Sequence, residues 1–154
     1  MFDSVKRIGR QAFSCCSKLH TVRLPKGLVT LNMYTFSRCE SLESIDIPAS
    51  VRTIKEGTFS NCTKLRNINT DNNCLEDIEA FAFAGCKCLE SIKISCCVKE
   101  IPKLIFYQCN EIEVSYNDKT CNIDGMEIYF TESDTFTLGQ YAPIYFLLEQ
   151  RMYI

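Results

Sequence analysis

The sequence predicts an α/β repeat fold: a right-handed solenoid whose rungs align short strands into a parallel β-sheet, mostly strand and turn with short helical turns. Two observations predict it. Phe13, Phe36, Phe59, Phe83 and Phe106 recur at intervals of 23, 23, 24 and 23 residues. Around each phenylalanine the same apolar columns return in register, as expected when one supersecondary unit is copied along a chain.

Each element of the unit can be read in order. Five positions before the phenylalanine stands Ile8, Leu31, Ile54, Ile78 or Ile101. Three positions after it come Cys16, Cys39, Cys62, Cys86 and Cys109, and six after it Leu19, Leu42, Leu65, Leu89 and Ile112. Nine after it come Val22, Ile45, Ile68 and Ile92. The stretch from Leu42 to Ile47 reads L-x-x-I-x-I, the strand pattern of leucine-rich repeats. Alternation turns Ile45 and Ile47 inward and Asp46 outward. Pro25 and Pro48 follow the strand and help end it, because proline has no N–H for a ladder. The F-S-x-C stretch is read as about one helical turn, with too few residues for a full helix.

These motifs closely resemble the BspA-like leucine-rich-repeat family, whose A-F-x-x-C and I-x-I-P signatures stand here as Ala12-Phe13-Ser14-Cys15-Cys16 and Ile45-Asp46-Ile47-Pro48. The resemblance covers about residues 5–116 and is specific for the fold. It implies a protein of bacterial or protist surfaces, where several members act as adhesins. It says little about the partner.

Residues 1–116 are therefore assigned to a solenoid of about five repeats and residues 117–154 to an irregular carboxy-terminal cap or tail, a partner-binding helix in the segment being the alternative to a cap. The repeats begin mid-unit, since Val5-Lys6-Arg7-Ile8 matches Val51-Arg52-Thr53-Ile54, and no amino-terminal cap is visible. A fragment of a longer protein, or a short gene derived from one, is expected. Residues 70–77 lose the I-P pair and carry one extra residue. In the cap, Glu127 to Thr131 alternates as a strand does, and Pro143 opens a short helix through Met152. Ile144 to Leu148 supplies an apolar cover for the last rung.

Composition excludes several classes. Apolar residues make up 46% and charged residues 23% of 154, with a net charge of −2, so the overall balance makes no case for nucleic acid or an anionic membrane. No apolar run approaches the ~20 residues that span a bilayer. The first residues hold no continuous apolar stretch of the signal-peptide kind.

Eleven cysteines and a single histidine, His20, raise the question of chemistry. The five column cysteines occupy apolar lattice positions, where a thiol is inert because burial disfavours the thiolate. Cys86-Lys87-Cys88 and Cys96-Cys97 lack the spacing of common zinc sites, and a ladder spreads ligands at about 4.8 Å per rung instead of converging them. Small buried hydrophobes describe the column better. The redox states of Cys74, Cys88, Cys96, Cys97 and Cys121 stay open. The inserted residue leaves the register ambiguous, so a Cys74–Cys97 disulfide and free thiols both fit. No phosphate loop, nucleophile elbow or H-E-x-x-H motif is present. No enzyme activity, cofactor or metal is expected.

What is left is the outward face of the strands. It carries His20 and Arg23, then Glu43 and Asp46, Arg66 and Asn69, Glu90 and Lys93, with Glu113 and Ser115 at the end. Opposite charges fall on adjacent rungs as Arg23–Asp46, Glu43–Arg66 and Arg66–Glu90. No aromatic anchor of the kind found at binding hot spots stands in these columns. The expected function is a non-enzymatic protein-binding module, a cell-surface adhesin or antigen on the resemblance, with an intracellular scaffold as the alternative. The partner is a protein of unknown identity.

Overall fold

A computed structural model describes residues 4–70, 75–95, 97–98, 100–102, 104–116, 119–124 and 135–137. The strands, in order, are β1 (Thr30–Leu31), β2 (Ser44–Asp46), β3 (Thr53–Ile54), β4 (Asn67–Asn69) and β5 (Asp77–Ile78). They continue with β6 (Ser91–Ile94), β7 (Glu100–Pro102), β8 (Glu111–Tyr116), β9 (Lys119–Asp124) and β10 (Thr135–Thr137). The repeats build two separate parallel ladders. One holds the L-x-x-I-x-I strands: β2 pairs with β4 through Ile45 and Ile68, and β6 with β8 through Ile92 and Val114. The other holds the residues before the phenylalanine, with Leu31, Ile54 and Ile78 in register on β1, β3 and β5.

The expected single sheet is thus divided. Pairing on the first ladder breaks between β4 and β6. The break falls where the chain carries its extra residue, and there the Thr70 hydroxyl donates to the Lys93 carbonyl at 2.5 Å.

The expected helical turns are also corrected: no helix is found among the described residues. The physical reason lies in where the backbone N–H groups go. Around Phe36, the amides of Thr35, Ser37 and Cys39 close i→i+3 turns on Asn32, Tyr34 and Phe36. The amides between them, on Tyr34, Phe36 and Arg38, reach the carbonyls of Glu56, Thr58 and Ser60 in the next repeat. A helix would direct all of these bonds along its own axis. Splitting them requires residues in the left-handed region, and they recur two positions either side of the phenylalanine: Tyr34 and Arg38 (φ 55° and 60°), Gly57 and Asn61 (59° and 60°), Phe81 and Gly85 (58° and 71°). Glycine serves at Gly57 because a Cβ there would run into the Tyr34 ring.

The core is the predicted lattice. Phe36, Phe59, Phe83 and Phe106 are buried with Leu31, Leu42, Ile54, Leu65, Ile78 and Leu89. Successive phenylalanine rings from Phe13 to Phe83 lie 3–4° from parallel with centroids 5.3–5.6 Å apart. That is close to the ~4.8 Å strand spacing and lies within the range of favourable aromatic pairs. The Phe83–Phe106 pair is looser, at 5.9 Å and 17°.

Phe13 departs from the expected continuous burial. It is only half-buried, as are Ile8, Leu19 and Val22 in the same repeat. Among the described residues, each has a lattice neighbour on one side only. The expected strand at Glu127–Thr131 and the expected helix from Pro143 to Met152 lie outside the described residues.

Candidate functional site

The outward face keeps the expected alternation of exposed and buried positions, but the first repeat, which carries His20 and Arg23, forms no strand among the described residues. His20, Arg23, Glu43, Asp46, Arg66, Asn69, Glu90 and Lys93 are all exposed, while Ile45, Ile68 and Ile92 between them are buried. Register places Asp46 beside Asn69 and Lys93 beside Ser115. The amide of Glu43 donates to the His20 carbonyl (3.2 Å) and that of Arg66 to the Glu43 carbonyl (2.9 Å), so the first column is held by backbone from one repeat to the next.

Of the three predicted ion pairs on this face, Arg66–Glu90 forms, at 3.2 Å. Arg23–Asp46 and Glu43–Arg66 do not come within 4.0 Å; Arg66 has turned to its other neighbour. Both Arg66 and Glu90 are well exposed, so the pair contributes only ~0.2–1 kcal/mol. The face is a solvated array of polar groups with both signs interspersed.

A second polar array was not foreseen. It runs along the ladder of β1, β3 and β5, where Lys55 Nζ meets Glu79 Oε1 at 2.5 Å and the other oxygen of Glu79 accepts from the Glu56 amide at 2.9 Å. The Glu56 carboxylate accepts the Tyr34 hydroxyl, and the Arg10 guanidinium sits 5.9 Å from the centre of the Tyr34 ring. The Glu79 carboxylate raises the Lys55 pKa, and the hydrogen bond to Glu56 raises that of Tyr34. Their spacing of about one repeat was the available signal. These groups satisfy one another.

The cysteine column explains itself through geometry. The thiols of Cys39, Cys62, Cys86 and Cys109 each donate to the carbonyl of the phenylalanine in the preceding repeat, at 3.1–3.2 Å. Cysteine is small enough for the lattice and carries a weak donor for that carbonyl. Burial pushes the thiols up, to about 11 for Cys39 and about 12 for Cys62 and Cys109, and raises Cys86 likewise. Thiolate chemistry is therefore unfavourable there.

Cys16 corrects the expectation of five inaccessible thiols: it is exposed, because no phenylalanine carbonyl of an earlier repeat lies over it among the described residues. Cys97 is a free, exposed thiol, so it is not in the Cys74–Cys97 disulfide allowed by spacing. Cys88 is free and half-buried. Cys74 and Cys96 lie outside the described residues, as does the side chain of Cys121. His20 Nδ1 lies 2.7 Å from the Lys18 carbonyl.

With this geometry in hand, comparison with known families is decisive. The family model for the BspA type leucine-rich-repeat region matches residues 1–113 in six copies. The chain belongs to that family. The six copies extend the count of about five rungs read from the phenylalanines. Repeats of this family point to a protein-interaction module. No curated protein and no solved structure matched the chain. No helix among the described residues is long and apolar enough to cross a membrane.

Proposed function

We propose that this chain is a non-enzymatic protein-binding module whose repeats wind as a right-handed solenoid and present the strand face to a partner. The observation that carries the reading is the outward face itself: eight exposed polar side chains from four repeats, with Asp46, Asn69 and Lys93 on β2, β4 and β6, over a buried lattice. Right-handedness is the expected sense for parallel strands joined by crossovers. Residues 117–154 are read as the cap, supported by β9, which pairs antiparallel along the whole of β8, and by β10, which pairs with β7.

On the family resemblance the role is surface adhesion or antigen display. A second reading, an intracellular scaffold, draws on the exposed thiols of Cys15, Cys16 and Cys97, which persist best in a reducing compartment.

The test is a paired reversal on the face, Arg66→Glu with Glu90→Arg, against Lys64→Glu outside the strands. A partner cross-linked by the unmodified chain should be lost from the paired reversal and kept by Lys64→Glu. Retention by both contradicts the assignment of the face.

A further inference from the structure

Asn61, Cys62 and Thr63 form an Asn-x-Ser/Thr triplet with cysteine, not proline, in the middle. It is the pattern at which an oligosaccharide is attached through the asparagine amide. No other asparagine in the sequence has serine or threonine two positions on. So short a triplet also arises by chance, so its placement in the fold has to decide.

The lattice fixes only the middle residue. Cys62 is fully buried and belongs to the thiol column. Asn61 stands where the other repeats carry Cys15, Arg38, Gly85 and Gln108, and Thr63 where they carry Ser17, Glu40, Lys87 and Asn110. The whole first set lies in the left-handed region. Asparagine is enriched there, which accounts for Asn61 by itself but not for the hydroxyl two residues on.

The Asn61 amide has room for a large substituent. The residue is exposed in the turn after Phe59, and its backbone N–H is tied to the Ala84 carbonyl at 2.7 Å. On one side of it in the column stands the exposed Arg38, on the other Gly85, where a Cβ would lie 2.5 Å from Asn61 Oδ1. Nδ2 donates to the Ser60 hydroxyl at 3.2 Å. A primary amide carries two N–H groups, so a sugar on one leaves the other for that bond. The half-buried Thr63 donates to the Glu40 carbonyl at 3.4 Å, a long hydrogen bond.

We infer that Asn61 is an acceptor for an N-linked oligosaccharide carried on a lipid pyrophosphate donor. Nδ2 bonds to the anomeric carbon, the anomeric C–O bond to the pyrophosphate breaks, Nδ2 gives up one proton, and the lipid pyrophosphate leaves. The sugar then projects from the turn, and the buried lattice beneath Cys62 is untouched. The inference rests on the surface reading, because the transfer takes place where secreted chains pass.

The test is translation of the full chain behind a cleavable leader in the presence of microsomes. A single slower band should form and collapse on treatment with peptide N-glycosidase. Thr63→Ser and Asn67→Gln should keep it, while Thr63→Ala and Asn61→Gln should lose it. This readout does not depend on the variants folding. After mild reduction, the glycosylated chain should protect Cys62 and Cys86 from alkylation as well as the unmodified chain does. The inference is overturned if no band shifts, if the shift survives Thr63→Ala, or if the sugar opens Cys62 to alkylation. The leader imposes the compartment, so these failures concern the site and not the surface reading. A microsomal shift together with a bare Asn61 in the chain from its own cells would uphold the site and count against the surface reading.

Discussion

At the scale of single residues, the phenylalanine and the cysteine of each repeat do different work. Phe59 has a parallel ring on each side and is fully buried. Phe59→Ala should destabilise the chain by ~3–5 kcal/mol, because a lattice fixed on both sides closes poorly over the cavity. A denaturant titration showing a loss below about 1 kcal/mol would contradict the stack. The thiols set a pH dependence. In the unfolded chain they ionise near the ordinary value of 9.0, whereas Cys39 holds its proton to about 11 and Cys62 and Cys109 to about 12. Their folded pKa is raised, so the stability they confer is whole below pH 9.0 and is lost as the pH climbs through that window. Denaturant midpoints should therefore fall on the alkaline side, and Cys62→Ala with Cys109→Ala should flatten the fall. Tyr34 and Lys55, also raised, will leave a residual slope. An equal slope in the variant would remove the thiols from the explanation.

At the scale of elements, the phenylalanine spacing and the period-2 strand pattern made most of the lattice legible in the sequence, because side-chain burial is what those patterns record. The eight proposed face residues came out exposed for the same reason. The turn around each phenylalanine is not legible as non-helical, since apolar spacing does not reveal that alternate amides bond to the next repeat. Left-handed Arg38 and Phe81 carry no residue-type signal, unlike Gly57 and Gly85. The ion pairs were legible only as juxtapositions: a long Arg66 side chain with two acidic neighbours chooses one. Exposure of Cys16 followed from its place in the first repeat, which a column viewed as equivalent copies does not show. At the other end, β9 along β8 supplies the test of the cap. Deleting residues 117–154 should expose the edge of β8 and speed amide exchange first in the last two repeats. Unchanged protection there, with a monomeric sedimentation profile, would make the segment a detachable tail.

At the scale of the molecule, the repeats are held to one another by the same few contacts again and again: ring on ring, thiol on carbonyl, amide on carbonyl. Such a stack is expected to open from its ends, with the central repeats protected longest. It also explains why the cysteines need no catalytic role. The central claim is that Cys39, Cys62, Cys86 and Cys109 are structural rungs of one buried ladder. Thiol labelling across a denaturant series, read residue by residue by mass spectrometry, tests it directly. Cys15, Cys16 and Cys97 should label at once in the native chain, and the four ladder thiols only as the chain unfolds. Rapid native labelling of Cys39 and Cys62, or a disulfide between them, would contradict it.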